Sequence, residues 1–319
     1  MRRGAAAGWA AALVWIAAEA GSDAGARMPA TLVVCPTAST DACEYRGGAG
    51  IQQAVDAARD GDTVRLQAGL YGLQTTRDVV YQVYTMPGFV VIDGKQVDLA
   101  GEPGTVLEGD AVTPGTGIVV NRARVSISAI ELRGFATADA EDDRYDGHGI
   151  FVIDSTVMLD SVSMSRIAKM GLTLRGESMV DAVNLSIADG HIGIWLEESA
   201  HLTLRDSRLV GNESAGICAY AHSAARVYRS LIERNGDDGL YADDWATIYA
   251  ADSTIRGNKP YGVRAVKHGR IHIESGRLVD NEHNTSRSLF GRPVTLGPGV
   301  TESAAAAEPA AAPADGGAR

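Results

Sequence analysis

The sequence predicts an all-β fold: a right-handed parallel β-helix solenoid with three short strands per coil and an N-terminal capping helix. Three observations predict it: a glycine that recurs every 22 or 23 residues, an alternating apolar segment after each glycine, and serine and asparagine columns of the same period. The chain of 319 residues contains 37 glycines and only 6% aromatic residues. That composition suits many turns around a narrow aliphatic core.

The glycine column sets the length of a coil. It consists of Gly117, Gly149, Gly171, Gly193, Gly216, Gly239 and Gly262. An aliphatic residue follows each glycine, and a second small or aliphatic residue comes two positions later, as in Gly193-Ile194-Trp195-Leu196. This period of two predicts a strand with one buried face. A single coil cannot bury that face alone, so coils stacked about 4.8 Å apart must share one core.

Serine and asparagine columns mark two further turns in each coil. They are Ser207, Ser230 and Ser253, and Asn212, Asn235, Asn258 and Asn281, with apolar columns between them. Asparagine tolerates a left-handed backbone at turns, and stacked amides can hydrogen-bond along a solenoid. Each coil is therefore expected to hold three strands. A leucine-rich repeat has a similar period, but these coils lack its Leu-x-x-Leu-x-Leu frame.

Residues 45–62 predict a cap over the first coil, because solenoid ends must be covered. An amphipathic helix there has one apolar face, formed by Ile51, Ala54, Val55 and Ala58, and Gly61 ends it before a strand at 63–66. The segment resembles the N-terminal cap of right-handed parallel β-helix proteins of the pectate-lyase-like superfamily, in which an Ile-Gln-x-Ala-Val-Asp-x-Ala helix precedes Gly-Asp-Thr-Val. The resemblance covers about residues 45–285 and implies the same fold.

The two ends of the chain predict export and a structureless tail. Residues 1–20 begin with Arg2 and Arg3, continue with an apolar run and end in Ala18-Glu19-Ala20, which fits a signal peptide with its cleavage site. The alternative, an uncleaved membrane anchor, would need a longer apolar run. We therefore expect a secreted or periplasmic protein, with a β-helix domain at 31–290 and a disordered Ala- and Pro-rich tail at 300–319.

Cysteine usage and net charge limit the classes of partner. Cys35 and Cys43 lie close together after the signal, where an oxidising compartment favours a disulfide between them, and Cys218 is left over inside the repeat. The formal net charge of −11 disfavours nucleic acid and anionic membranes. An anionic polysaccharide stays compatible if its groove is locally basic or holds a cation. We expect a monomer with no membrane span after signal cleavage.

The outward-facing residues of the strands after the glycines combine aromatic and charged side chains. The expected polysaccharide-binding residues are Lys169, Trp195, Glu197, Tyr220, Tyr241, Asp243 and Arg264. Aromatic faces stack on sugar rings, and solenoids commonly bind partners along one extended face. The alternative is a solvated face with ordinary ion pairs between coils.

The segment Tyr145-Asp146-Gly147-His148 is the strongest catalytic candidate. It follows an acidic insertion of about ten residues, 135–144, that interrupts the repeat. Tyr145, Asp146 and His148 are residue types that can abstract a sugar C5 proton and protonate the product, and Arg175 would neutralise the sugar carboxylate. The segment is similar in order to the Tyr-Gly-x-Asp-Pro-His-Asp motif of alginate C5-epimerases and related lyases. That similarity implies lyase or C5-epimerase activity on a uronate-containing glycan; the alternative is a plain turn entering a coil.

Two other functions and a metal stay open at this stage. A polygalacturonase-like hydrolase would use Asp238 and Asp243 as acid and base. A non-catalytic glycan-binding or cell-surface structural protein would use the same face without chemistry. No cofactor is certain. Ca²⁺ could bind separately at the Glu197-Glu198 pair and the Asp243-Asp244 pair, since two coils, about 9.6 Å, keep one ion from bridging them.

Overall fold

The computed structural model describes residues 27–138, 145–286 and 293–303. These segments form one α-helix and 28 β-strands. The expected signal peptide at 1–20, part of the acidic insertion (139–144) and the tail beyond residue 303 lie outside the described residues. Within the described segments, no helix has the length and apolar character needed to span a membrane.

The cap and the first coils contain β1 (Thr31–Cys35), β2 (Tyr45–Arg46), α1 (Gly47–Ala57), β3 (Thr63–Leu66), β4 (Gly69–Leu73), β5 (Arg77–Tyr81), β6 (Tyr84–Asp93) and β7 (Gln96–Gly109). The next coils contain β8 (Thr116–Asn121), β9 (Arg124–Arg133), β10 (Ile150–Ile153), β11 (Thr156–Asp160), β12 (Ser163–Ser165), β13 (Met170–Arg175), β14 (Met179–Val183), β15 (Ser186–Ala188), β16 (Ile192–Leu196), β17 (His201–Arg205) and β18 (Arg208–Val210). The last coils contain β19 (Ile217–Ala219), β20 (Ala224–Tyr228), β21 (Leu231–Glu233), β22 (Leu240–Ala242), β23 (Thr247–Ala251), β24 (Ser253–Arg256), β25 (Tyr261–Ala265), β26 (Arg270–Val279), β27 (His283–Thr285) and β28 (Val294–Ser303).

Three stacks of parallel strands run along the solenoid. The first stack, made by the strands that follow the glycine column, contains β6, β8, β10, β13, β16, β19, β22, β25 and β27. The second stack runs from β9 through β11, β14, β17, β20 and β23 to β26, and the third runs from β12 through β15, β18 and β21 to β24. β9 and β26 each bend from the second stack into the third. The predicted β-helix with three short strands per coil is confirmed.

One continuous core fills the solenoid, as the period-two pattern predicts. Ile194, Ile217 and Leu240 are register partners in successive strands of the first stack, and all three are fully buried. The column of glycines is required because successive backbones approach closely. A Cβ built on Gly193 would lie 2.4 Å from the carbonyl oxygen of Gly216, closer than any carbon side chain tolerates.

The asparagine column forms a buried hydrogen-bonded ladder. The side-chain amide of Asn212 donates to Asn235 Oδ1 at 2.9 Å, and Asn235 donates in turn to Asn258 Oδ1 at 2.9 Å. The expected left-handed backbone at these asparagines is wrong. The left-handed residue is the one before each, namely Gly211, Arg234, Gly257 and Asp280. The preceding residue makes the turn, which leaves the amide directed into the solenoid toward the next coil.

The first coil is closed by α1, whose predicted apolar face is buried. Lys95 Nζ donates to three main-chain carbonyls at the C-terminal end of α1, at 2.7 to 3.0 Å, and so satisfies groups that a helix end leaves without partners. A disulfide joins Cys35 to Cys43, with Cα atoms 6.0 Å apart.

At the other end, β28 pairs with β26 and extends the solenoid to Ser303. The domain end expected at residue 290 and the tail expected from residue 300 are therefore both placed too early. Strand β28 has no fully buried residue; backbone pairing with β26 holds it, together with half-buried Val294 and Val300, which pack against the core. A composition-based boundary cannot detect such a strand.

Candidate functional site

The outer face of the first stack is divided into a covered half and an open half. Over the covered half, Val79 and Met86 of the β5–β6 hairpin pack on Val119, Phe151 and Ile153. These three side chains were expected to face solvent, and that expectation is wrong, because the hairpin buries them in a second apolar cluster.

The tip of the hairpin is fastened to a distant coil. The Tyr81 hydroxyl donates to Glu198 Oε2 at 2.5 Å, and Gln82 Nε2 donates to Glu198 Oε1 at 2.9 Å. The amide of Gly176 also donates to Glu198, at 2.6 Å. Burial acts against the charged form, but these hydrogen bonds outweigh it and hold the pKa of Glu198 below its usual value.

Arg175 lies beneath this hairpin tip and is only 6% exposed. Three tyrosine rings surround its guanidinium carbon, at 4.9 Å for Tyr145 and 5.9 Å for both Tyr81 and Tyr84. Its Nη2 pairs with Glu197 Oε2 at 2.8 Å, and its Nη1 donates to the Tyr145 hydroxyl. Cation–π contacts and a charge-assisted hydrogen bond therefore stabilise the buried cation.

The catalytic candidates of the Tyr145-Asp146-Gly147-His148 segment differ in their access to solvent. Tyr145 is half-buried, whereas Asp146 and His148 are buried. Asp146 accepts a hydrogen bond from Thr137 Oγ1 at 2.7 Å and lies 3.7 Å from Lys169 Nζ. The structure thus brings Tyr145 to Arg175 and Asp146 to Lys169, as two adjacent pairs.

His148 is enclosed by its neighbours. Its Nδ1 lies 2.8 Å from Thr173 Oγ1, and its ring packs edge-on against Phe151 with centroids 5.0 Å apart. Burial, with repulsion from Lys169 and Arg175, lowers the pKa of His148 to about 3. The ring is therefore neutral at physiological pH. His148 and Asp146, both expected to act on the sugar, are therefore enclosed rather than exposed on the outer face.

The open half carries a ladder of aromatic rings, which we call the aromatic stripe: Trp195, Tyr220 and Tyr241. Trp195 and Tyr220 stack with centroids 4.4 Å apart and an interplanar angle of 28°, and the Tyr220 and Tyr241 centroids are 5.6 Å apart. All three rings are half-exposed and rest on buried Cys218. Such a row of half-exposed rings offers apolar faces that stack on planar or ring-shaped ligands.

Two cations lie at one end of the aromatic stripe. Arg264 sits 5.6 Å from the Tyr241 ring centroid and 3.5 Å from Asp238. Lys267 pairs with Asp243 at 3.1 Å and with Asp244 at 2.9 Å. Burial favours the neutral form of Asp243, but hydrogen bonds from the Asp244 amide and from Lys267 outweigh it and lower its pKa.

The two acidic pairs considered for Ca²⁺ face protein cations. Glu197 and Glu198 lie against Arg175, and Asp243 and Asp244 lie against Lys267. Among the described residues, no cluster of three or more His, Cys, Asp or Glu side chains could hold a metal ion.

Three buried polar side-chain atoms have no hydrogen-bond partner within the described part of the chain: His148 Nε2, Arg175 Nε and Asp238 Oδ1. All three belong to the outer face of the first stack. Buried polar atoms are usually hydrogen-bonded, so these three atoms set this face apart from the rest of the described structure. Asp238 is 2% exposed, and burial together with repulsion from Asp237 raises its pKa to about 7.

Sequence reasoning missed Trp245 as a site residue. Its side chain is 55% exposed and stacks on His268, with centroids 4.0 Å apart and an interplanar angle of 20°. Trp245 lies in the turn after β22, the strand that contains Tyr241, and so extends the aromatic surface beyond that strand. The signal was present, because Trp245 and His268 occupy the same position in successive 23-residue coils.

The architecture matches a known protein family and several solved structures. The family profile described as "Right handed beta helix region" matches residues 116–278. Among solved structures, the chain is similar to the pectate lyase Pel9A, with 14% identity, a TM-score of 0.62, and coverage of 88% of this chain and 80% of that one. It is also similar to the pectate lyase pelN from Paenibacillus sp. 0602, with 10% identity, a TM-score of 0.58, and coverage of 88% and 85%.

A third similar structure is the enzymatically active domain of tailspike protein 2 of bacteriophage CBA120, with 10% identity and a TM-score of 0.55, over 79% of this chain and 40% of that one. No curated protein matches the chain by sequence. At these identities the solved structures share the fold, while the family profile spans just over half of the sequence. The chain belongs to the right-handed β-helix family.

Proposed function

We propose that the chain is an exported protein, secreted or periplasmic, that binds a uronate-containing polysaccharide along the aromatic stripe. The observation that carries this proposal is the ladder of half-exposed rings, Trp195, Tyr220 and Tyr241, on three successive coils. Rings spaced by the coil repeat present a continuous track, which suits a polymer better than a single small molecule. The two pectate lyases that share the fold support a polysaccharide as the ligand class.

The cations beside the stripe favour an acidic sugar. Arg264 and Lys267 would form ion pairs with the carboxylates of a polysaccharide that stacks on Tyr241. These new ion pairs would replace the ones that Arg264 makes with Asp238 and Lys267 makes with Asp243. A guanidinium matches a carboxylate with two parallel hydrogen bonds. A neutral glycan would leave those ion pairs intact and would gain only the stacking.

Lyase or C5-epimerase activity would use the adjoining Tyr145 and Arg175. In that reaction Arg175 would neutralise the uronate carboxylate, replacing Glu197, and the deprotonated Tyr145 oxygen would take the C5 proton. A lyase would then break the C4–O bond, form the C4–C5 double bond and return the proton to the departing oxygen, whereas an epimerase would return a proton to C5 from the opposite face of the sugar. Asp146 and His148 would act as buried supports of this pair rather than as groups that touch the sugar.

A second candidate, glycoside hydrolysis, is favoured by a different observation. The environments of Asp238 and Asp243 move their pKa values in opposite directions, upward to about 7 for Asp238 and downward for Asp243. Carboxyl groups separated in this way can act as general acid and general base. The two lie at opposite ends of the β22 strand, with Tyr241 between them.

The binding proposal is tested by calorimetric titration with polygalacturonate, alginate and a neutral galactan. We expect binding to a uronate polymer, and Trp195→Ala should weaken it about tenfold through lost stacking. Leu70→Ala serves as the control, because Leu70 is an exposed apolar residue on β4, away from the aromatic stripe. Absence of binding to all three polymers, or equal losses in both variants, would overturn the proposal.

Chemistry is tested on the same polymers by the ultraviolet absorbance of an unsaturated product, by NMR of the C5 configuration and by release of reducing ends. Lyase or epimerase activity abolished in Tyr145→Phe supports the first reaction. Reducing ends without unsaturation, abolished in Asp238→Asn, support hydrolysis. Binding without turnover identifies a non-catalytic glycan-binding protein.

A further inference from the structure

A long groove also runs over the outer face of the second stack, on a side of the solenoid that the aromatic stripe does not touch. It consists of two cavities of ≈ 720 Å³ and ≈ 570 Å³ that share Ala224 and Arg226 in their walls, so the two form one continuous depression, which we call the second groove. It extends from β7 to the last coil, and exposed Met158 and Met179 line its middle.

Three arginines in the second groove, Arg124, Arg226 and Arg270, are exposed and make no ion pair with any described residue. Their situation differs from that of other cations nearby. On the same stack, Arg205 pairs with Asp181, and at the aromatic stripe both Arg264 and Lys267 pair with aspartates. In a chain of net charge −11, uncompensated guanidinium groups gathered in one groove form a local anion-attracting surface.

The end of the groove near β26 is the more suitable for an anion. Arg226, Tyr249 and His272 are register partners on three successive coils, and the Tyr249 and His272 ring centroids are 5.6 Å apart. Arg270 lies on the His272 strand, two coils from Arg226 (about 9.6 Å along the solenoid) and two residues along the strand from the Arg226 column. His272 Nε2 lies 2.8 Å from Glu274 Oε2, so this ring already has an acidic partner. The opposite end of the groove carries exposed Asp98. The positive charge without an acidic partner is therefore concentrated at Arg226 and Arg270.

We propose that the second groove binds a further carboxylate-bearing polysaccharide chain, with Arg226 and Arg270 on its carboxylates and Tyr249 against a sugar ring. The guanidinium groups of Arg226 and Arg270, about two coils apart along the solenoid, suit a polymer that carries one carboxylate on each sugar. A nucleic acid, with its denser phosphates, requires clustered basic residues and would be repelled by the acidic remainder of the molecule. The proposal does not depend on the aromatic stripe, since the two surfaces share no residue.

The test is titration of the full chain with oligogalacturonate of defined length, measuring stoichiometry and salt dependence. Wild type should bind two chains. Arg226→Gln combined with Arg270→Gln should lose one of them, with an affinity loss of about tenfold or more at that site. Trp195→Ala should lose the other. Arg208→Gln is the matched control, because Arg208 is also exposed and without an ion pair among the described residues, but lies on the third stack.

Each failure is distinguishable. If the double glutamine variant keeps the wild-type stoichiometry, or if Arg208→Gln weakens binding equally, the second groove is overturned while the stripe stands. If the double glutamine variant loses binding and Trp195→Ala keeps it, the proposed binding at the aromatic stripe is overturned and binding at the second groove is supported. Preferential binding of single-stranded DNA at matched charge, lost in the double glutamine variant, would overturn the assignment to a polysaccharide. Salt-independent binding at the groove would overturn it as well.

Discussion

The carboxyl group of Asp238 is buried beside a second aspartate and carries an oxygen with no partner among the described residues. Its pKa of about 7 means that the folded protein keeps a proton that the unfolded chain releases above about 4. Wild-type stability therefore falls as pH rises from about 4 to about 7, and then levels off.

Asp238→Asn removes this titration. The melting temperature of the variant should exceed that of wild type by a margin that grows between pH 4 and 7 and reaches a few degrees. Thermal unfolding followed by circular dichroism at several pH values measures it. Asp280→Asn, at an exposed turn, is the control. A pH-independent margin would show that Asp238 is ionised in the folded protein.

Cys218 gives a second prediction at the scale of one side chain. Burial, followed by repulsion from Asp238 and Asp237, raises the pKa of its thiol to about 12. Because only the thiolate reacts, a disulfide reagent should not label the folded protein at pH 8. In guanidinium without reductant one thiol per chain should react, since Cys35 and Cys43 are joined. Rapid labelling of the folded protein would contradict the burial of Cys218.

Individual residues were the hardest level to predict from the sequence. The stripe residues Trp195, Tyr220 and Tyr241 follow from the alternation along each strand, and they do lie together. The burial of Val119, Phe151 and Ile153 does not follow, because it depends on a hairpin that is remote in sequence. The pKa of Asp238 is likewise set by packing around it, which no local pattern encodes.

At the scale of elements, the glycine column imposes a tight constraint, because successive backbones contact one another there. Gly193→Ala should strongly destabilise the protein, because its Cβ would lie 2.4 Å from a carbonyl oxygen that cannot move without shifting the next coil. We expect a loss of about 3 kcal/mol or failure to fold, measured by urea denaturation. Gly72→Ala, with no atom within 4 Å of its Cβ, should be near neutral. Equal effects in the two variants would rule out close approach as the cause.

Elements defined by the repeat were predictable, and the hairpin was not. The glycine strands and the asparagine ladder follow from spacing, since a residue needed in one coil is needed again 23 positions later. The β5–β6 hairpin occurs once, and its tip reaches Glu198 across more than 100 residues of sequence. A non-repeated element leaves no periodic signal.

At the scale of the whole molecule, each coil contacts only the coils directly above and below it, so the stability of a coil depends on those two neighbours. Asn235→Ala removes bonds to Asn212 and Asn258, so coils on either side of it should open more readily. Hydrogen exchange measured by mass spectrometry should accelerate in strands β18 to β24 and stay unchanged in α1 and β1 to β4. Asn184→Gly, at an exposed left-handed position outside the ladder, is the control. Uniform acceleration would indicate one cooperative unit instead.

The constant 23-residue repeat from Gly193 to Gly262 also means that these coils have the same length and the same backbone plan, so one could replace another. Each one presents the same glycine, serine and asparagine contacts to the coil above as to the coil below. Duplicating or excising one complete unit would therefore leave every junction matched, and would lengthen or shorten the molecule by a single increment of about 4.8 Å. The length of this solenoid is thus a quantity that gene duplication can adjust in whole steps, without redesign of the interior.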